Sequence, residues 1–295
     1  MKGPTLLASL ALLGVSALMF HSCTKKDDLN RLDRLLGRAR LADDLDKTEE
    51  HQRLMVDLDR EFAALGSASD ADHRAWILRA RLFSMKGQVQ DALKCLQEAR
   101  RLAALPEAHV TPGLEWEIPL MEGHLLQVSG KPQEALAPLR QALALRPDSS
   151  HVRLNLSEAL RQSAPVEGGQ EILREAFTHA SKSVELKPSP ATYNEKALVL
   201  LRMKDYAEAR ECLLKALTLS PRDPKCLYNL AITSARLSQD YAAPPSPDGK
   251  TLVESYRQEA IRTWEELRHA DKKLADKLYF EDGFREFCEG AVLKR

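Results

Sequence analysis

The chain predicts an all-α fold of antiparallel helix pairs, and three features of the sequence carry that reading. Apolar residues recur at helical spacing along most of the chain after Asp28. No β-branched run alternates for long enough to argue for a sheet. Small residues also return at a fixed interval: Ala197, Ala209, Leu213, Ala216 and Pro221 repeat the spacing of Gly123, Ala135, Leu139, Ala142 and Pro147 without a gap. Charged residues make up 29% of the sequence and aromatics 5%, and the glycines fall in turns, as in helical repeat proteins. Formal net charge is zero, and no basic stripe with interleaved aromatics is present, which excludes the usual signs of a nucleic-acid binder.

The repeating unit is clearest over Pro190–Pro221. Two apolar stripes flank a short polar break at Met203-Lys-Asp205, and neither is long enough to be stable alone in water. Ala197 and Ala209, one on each helix, let the two helices approach closely; Leu213 and Ala216 face the next element, and Pro221 ends the pair. Upstream, Ala80, Ala92, Leu96 and Ala99 repeat the spacing, with Trp76 four residues before and the closing proline displaced to Pro106. Looser copies run through Ser157, Ala176, Ala180, Ser183 and Pro188, and through Leu230, Ala231, Ala260 and Trp264. A unit near 34 residues with this small-small-large-small-Pro order resembles the tetratricopeptide repeat family. The resemblance implies a right-handed superhelix of antiparallel helix pairs, about five repeats over residues 73–272, and a role in binding other proteins.

From the start of the chain, Met1–Cys23 has the form of an export signal. Lys2 supplies the positive end and Leu6–Phe20 is an apolar run too short for an ordinary membrane span. Ser22-Cys23 followed by a polar stretch resembles a bacterial lipoprotein signal, in which residues 1–22 are removed and Cys23 is lipidated; residues 23–28 would then tether the protein to a membrane. Phe20 and His21 depart from the usual pattern, Val15-Ser-Ala17 offers an ordinary cleavage site, and an uncleaved anchor is the third possibility. Thr24 after the cysteine resembles the sorting pattern for the outer membrane, which would place the protein in the cell envelope.

Residues 29–66 read as an N-terminal helical hairpin. Leu29, Leu32, Leu35, Leu36 and Leu41 form one stripe, and Leu54, Leu58, Phe62 and Leu65 the other, with Thr48 as an N-cap and Arg31, Arg34 and Arg38 exposed. Gly66–Asp70 links the hairpin to the repeats. Ser189-Pro190 and Asp223-Pro224 each place a capping residue before a proline suited to the first helical position. Extended, exposed turns are expected near 163–170 and 239–251. Residues 273–295, carrying Tyr279, Phe280, Phe284 and Phe287, read as a helix that covers the apolar end of the stack.

Catalytic chemistry is not signalled. The eight histidines are scattered without metal spacing, and there is no glycine-rich phosphate loop and no nucleophile elbow. Neither a cofactor nor a metal is implied. Cys95, Cys212, Cys226 and Cys288 read as small buried apolar residues, with Cys212–Cys226 the one pair worth testing for a bridge. The family resemblance instead implies a binding groove lined by the first helix of each unit. Its register places Arg74, Ile77 and Arg81 there, then Leu120, His124 and Gln127, His151, Asn155 and Glu158, Asn194, Leu198 and Arg202, and finally Tyr228, Asn229 and Arg236. The asparagines suit the backbone of an extended peptide. The Lys/Asn set by which chaperone-binding members grip C-terminal carboxylates is absent. These expectations describe a non-catalytic, lipid-anchored scaffold in a bacterial envelope assembly such as a pilus, secretin or outer-membrane machine. The alternatives are a periplasmic adaptor for a cell-wall enzyme and a membrane-anchored adaptor facing the cytosol.

Overall fold

The computed structural model describes residues 27–42, 48–65, 72–105, 115–241, 247–281 and 284–288, and these are helices and short turns with no strand among them. Two compact units divide the chain, Met1–Ser129 and Gly130–Arg295. The predicted signal segment, Cys23 and the linker Gly66–Asp70 lie outside the described residues.

In the first unit, α1 (27–42) and α2 (Thr48–Leu65) form the expected hairpin. Leu29, Leu32 and Leu36 with Ala39 and Ala42 meet Leu54, Leu58 and Phe62, and the cluster continues into Ala75, Leu78 and Leu82 of α3 (His73–Met85). Leu41 is 57% exposed and leaves the predicted stripe, because helical geometry gives that face to Ala39 and Ala42. Thr48 is the first residue of α2 rather than a cap before it. Arg31 and Arg38 are exposed as expected, and they pair with Glu61 and Glu50 of α2. α4 (Val89–Ala103) pairs with α3, and Ala80, Ala92, Cys95, Leu96 and Ala99 close the contact with Ile118 and Leu125 of α5 (Glu117–Val128).

The second unit holds α6 (Pro132–Leu145), then the helix pairs α7 (Ser150–Ser163) with α8 (Gln170–Leu186), α9 (Pro190–Met203) with α10 (Tyr206–Leu219), and α11 (Pro224–Tyr241) with α12 (Pro247–Ala270). Every small residue of the repeat template in these elements is fully buried: Ala135, Ala142, Ser157, Ala176, Ala180, Ser183, Ala197, Ala209, Ala216, Ala231 and Ala260. With little or no bulk beyond Cβ, they let facing helices come close, while Leu139 and Leu213, also at 0% exposure, fill the neighbouring space. Ser189 caps α9 in a reciprocal box with Thr192, with Pro190 at the first helical position. Asp223 Oδ1 accepts from the Cys226 backbone N–H at 2.9 Å in the same manner before Pro224. Between α9 and α10, Lys204 takes φ 67°, and Asp205 caps α10.

Two predicted boundaries shift. The turn near 163–170 is present, with Val166 95% exposed, but the one near 239–251 is narrower, since α11 runs to Tyr241 and α12 begins at Pro247. A proline suits a first helical turn, so Pro247 opens a helix inside the stretch expected to be a turn. The C-terminal segment is three short pieces rather than one helix: α13 (Lys272–Asp276), a π-helical turn (Lys277–Glu281) and α14 (Phe284–Cys288). Phe284 and Phe287 are buried against Ala231, Ala260 and Leu267, and Tyr279 stacks on Trp264 with centroids 5.0 Å apart. Phe280 is 67% exposed; the wider π turn changes the angle between successive side chains and swings it off the core.

Candidate partner-binding face

In the second unit the first helices of successive pairs touch one another directly, α7 against α9 and α9 against α11, so their side chains form a continuous row. Three sets of polar contacts fasten it. At the α7–α9 seam, the Arg161 guanidinium forks onto Glu195: Nε lies 3.0 Å from Oε1 and Nη2 3.0 Å from Oε2. Ser157 donates to Glu195 Oε1 at 3.2 Å. Both ions are taken out of water, with side-chain exposures of 15% for Arg161 and 6% for Glu195. Burial pushes the Glu195 carboxyl up to about 7, and the attraction of Arg161 offsets only part of this. Burial pulls the Arg161 guanidinium down, but the attraction and hydrogen bonds of Glu195 together with the charge of Glu158 outweigh it and hold Arg161 above its ordinary range.

Two helical turns further along α9, Arg202 donates to the carbonyl oxygens of Arg161 at 3.2 Å and Ala164 at 2.8 Å. Those carbonyls end α7 without helical partners of their own, so Arg202 is a side-chain cap supplied by the next repeat. At the α9–α11 seam, Asn229 Nδ2 donates to Asn194 Oδ1 at 2.7 Å. This bond uses one group of each amide and leaves an N–H donor on Asn194 and an acceptor oxygen on Asn229.

The residues the repeat register assigned to a groove therefore divide. Asn194, Leu198, Arg202, Tyr228, Asn229 and Arg236 lie half-buried on α9 and α11, and on α7 Glu158 is half-buried while His151 is exposed. Tyr228 packs in part against the α11–α12 core. Asn155 is 5% exposed and donates to the His151 carbonyl at 2.8 Å, which turns it inward along its own helix.

In the first unit, described by itself, Ile77 and Leu120 are core residues at 1% and 5% exposure, and Gln127 is buried beside them, so none lines a groove. Arg74 donates to Asn30 at 2.9 Å, and Arg81 bridges Asp33 at 2.7 Å and Glu117 at 2.6 Å, fastening α3 to α1 and α5. Burial raises the Glu117 carboxyl above its ordinary value, with Arg81 acting against the rise. His124 is exposed.

Sequence reading missed Ser157 and Arg161 as partners, and above all Glu195. A usable signal was present: Glu195 sits in the stripe Thr192–Glu195–Val199 at spacings of three and four, and a carboxylate in a buried stripe needs a cation beside it. Among the described residues no group of three or more His, Cys, Asp or Glu could hold a metal ion, and no helix is long and apolar enough to cross a membrane. Cys95, Cys212, Cys226 and Cys288 are free thiols, so Cys212 and Cys226 are not bridged. Burial raises Cys95 to about 11 and carries Cys226 higher still, which makes both inert at neutral pH.

Helix pairs closed by small residues and fastened through their first helices define a helical repeat scaffold. Family models described as tetratricopeptide repeat match residues 190–223 and 120–180. Human tetratricopeptide repeat protein 7A is 27% identical over 155 residues, which is 52% of this chain but only 16% of the length of that protein. Among solved structures, MamA (residue 41 to the end) from Desulfovibrio magneticus RS-1 aligns over 68% of this chain and 97% of its own, at 17% identity and a TM-score of 0.51. TTC0263, a thermophilic tetratricopeptide repeat protein of Thermus thermophilus, covers 74% of this chain and 97% of its own, with 17% identity and a TM-score of 0.51. A chain of the APC/C hetero-tetramer Cut9–Hcn1 covers 85% of this chain and 45% of its own, with 17% identity and a TM-score of 0.58. At such identities the likeness shows the fold, which is tetratricopeptide-like and all-α.

Proposed function

We propose that this protein is a non-catalytic scaffold that holds an extended segment of a partner protein on the row formed by α7, α9 and α11. Tetratricopeptide repeats act as protein-interaction modules, and the observation that carries the reading here is the Asn194–Asn229 pair. It offers one donor and one acceptor on adjacent first helices, the complement of a peptide group, with Leu198 and Tyr228 beside it as apolar contact area. The test is a crosslinking pull-down from detergent-solubilised membranes, followed by affinity measurements with variants. Asn194→Ala strands a polar group on the bound segment and weakens binding by about 1–3 kcal/mol. Glu211→Ala and Lys215→Ala, exposed on α10, leave affinity unchanged. Equal affinities for all three variants would move the site off this row.

The cellular setting of the proposal rests on the sequence of Met1–Cys23. An apolar run ending in Ser22-Cys23 supports export with lipidation of Cys23, and with it attachment to a bacterial envelope membrane, where the scaffold serves the assembly of an envelope complex.

A further inference from the structure

We propose that the Arg161–Glu195 pair is a proton-operated latch between α7 and α9: with Glu195 ionised, Arg161 is held across the two helices, and with Glu195 protonated, Arg161 turns to Glu158 of its own helix.

The geometry supplies each part. Glu195 is only 5% exposed, and its oxygens are engaged from α7 by Arg161 and Ser157. Glu158 lies three positions before Arg161 on α7, within reach of the same guanidinium, and is half-buried. Its charge acts on both members of the pair, holding Arg161 in its cationic form and opposing ionisation of Glu195. Elsewhere around α9, the charged groups are engaged with the neighbouring Lys196: Glu208 of α10 pairs with it at 2.8 Å, and Glu185 of α8 feels it beside its own partner Lys182. From α11 the neutral Asn229 donates to Asn194 of this helix, and Cys226 and Leu230 share an apolar cluster with its Ala197 and Leu200. Arg202 grips the end of α7 through two carbonyls, a contact that does not depend on the charge of Glu195. The helices therefore stay docked while the latch changes state, and the change is confined to the last turns of α7 ahead of the 164–169 turn. Burial places the exchange near neutral pH, where water supplies the proton.

The experiment follows the Arg161 side-chain Nε–H resonance of the full chain by NMR across the neutral range, assigned through Arg161→Lys. The expected result is a single-proton transition with a midpoint near 7, absent in Glu195→Gln and moved to lower pH in Glu158→Gln. A resonance that does not change over this range, or a transition that persists in Glu195→Gln, would overturn the latch. An unmoved midpoint in Glu158→Gln would overturn the role given to Glu158. Should Glu195→Gln fail to fold, the Glu195 carboxyl carbon in wild type decides: a midpoint near 7 supports the latch, and one near 4.5 refutes it.

Discussion

Two Arg–Glu forks of the same design behave differently because one is buried more deeply. Glu195 and Glu259 each take a bidentate guanidinium and a serine hydroxyl, from Arg161 and Ser157 in one case and from Arg210 and Ser234 in the other. Burial wins at Glu195, whose carboxyl rises to about 7. At Glu259 burial also pushes upward, but the hydrogen bonds from Arg210 and Ser234 prevail and the carboxyl falls below its ordinary 4.5. The linkage signs are opposite. The folded state gains a proton on Glu195, so this group adds stability below pH 4.5 and loses it as pH rises toward 7. Glu259 adds stability above 4.5 and loses it on further acidification. Denaturant midpoints measured against pH test both: Glu195→Gln removes the decline between about pH 4.5 and 7, and Glu259→Gln removes a decline on the acid side. Arg161→Ala leaves Glu195 buried without its counterion, at a cost on the order of 3–5 kcal/mol at about pH 8. The cost shrinks at about pH 5, where Glu195 is neutral. Equal destabilisation at the two pH values would contradict the assignment of the proton to Glu195.

At the scale of elements, the repeat template was legible because a small residue at a close helix crossing leaves a fixed spacing in the sequence. Ala197, Ala209, Leu213 and Ala216 are buried as that spacing requires. What the sequence did not reveal is which neighbour each polar residue would choose. Arg202 was placed on the correct helix and row, yet its role as a cap on α7 depends on how α9 is rotated against its neighbour, a consequence of packing rather than of periodicity. Ile77 and Leu120 fell to the core for the same reason. The C-terminal aromatics were legible as a cover, but the π turn that exposes Phe280 has no marker in Lys277–Glu281. Overpacking tests the crossing itself: Ala209→Leu destabilises by about 1–3 kcal/mol in circular-dichroism melts. Glu211→Leu, on the exposed side of the same helix, is the control and stays within about 0.5 kcal/mol. Glu208 is unsuitable for that purpose because it pairs with Lys196 across α9 and α10. Ser189→Ala removes one half of the capping box of α9 and costs about 1 kcal/mol.

For the molecule as a whole, the proposed binding row and the proposed attachment site belong to separate stretches of chain, and that separation makes the proposed function testable in parts. The row of first helices lies within Gly130–Arg295, while the proposed lipid site is Cys23, outside the described residues. No helix among the described residues is long and apolar enough to cross a membrane; the proposed attachment rests on the sequence of Met1–Cys23. A single acyl chain gives only marginal, reversible binding, and firm anchoring takes more than one; a lipoprotein-type modification supplies several on one residue. Cys23→Ser is therefore expected to abolish palmitate incorporation and block signal removal at that position. The purified variant keeps wild-type affinity for the captured partner, because residues 150–241 are untouched. Palmitate labelling that continues in Cys23→Ser would remove the anchor from the proposal and leave the binding row standing. Loss of binding by the purified variant, with its circular-dichroism melt unchanged, would instead bring the N-terminal segment into the interface.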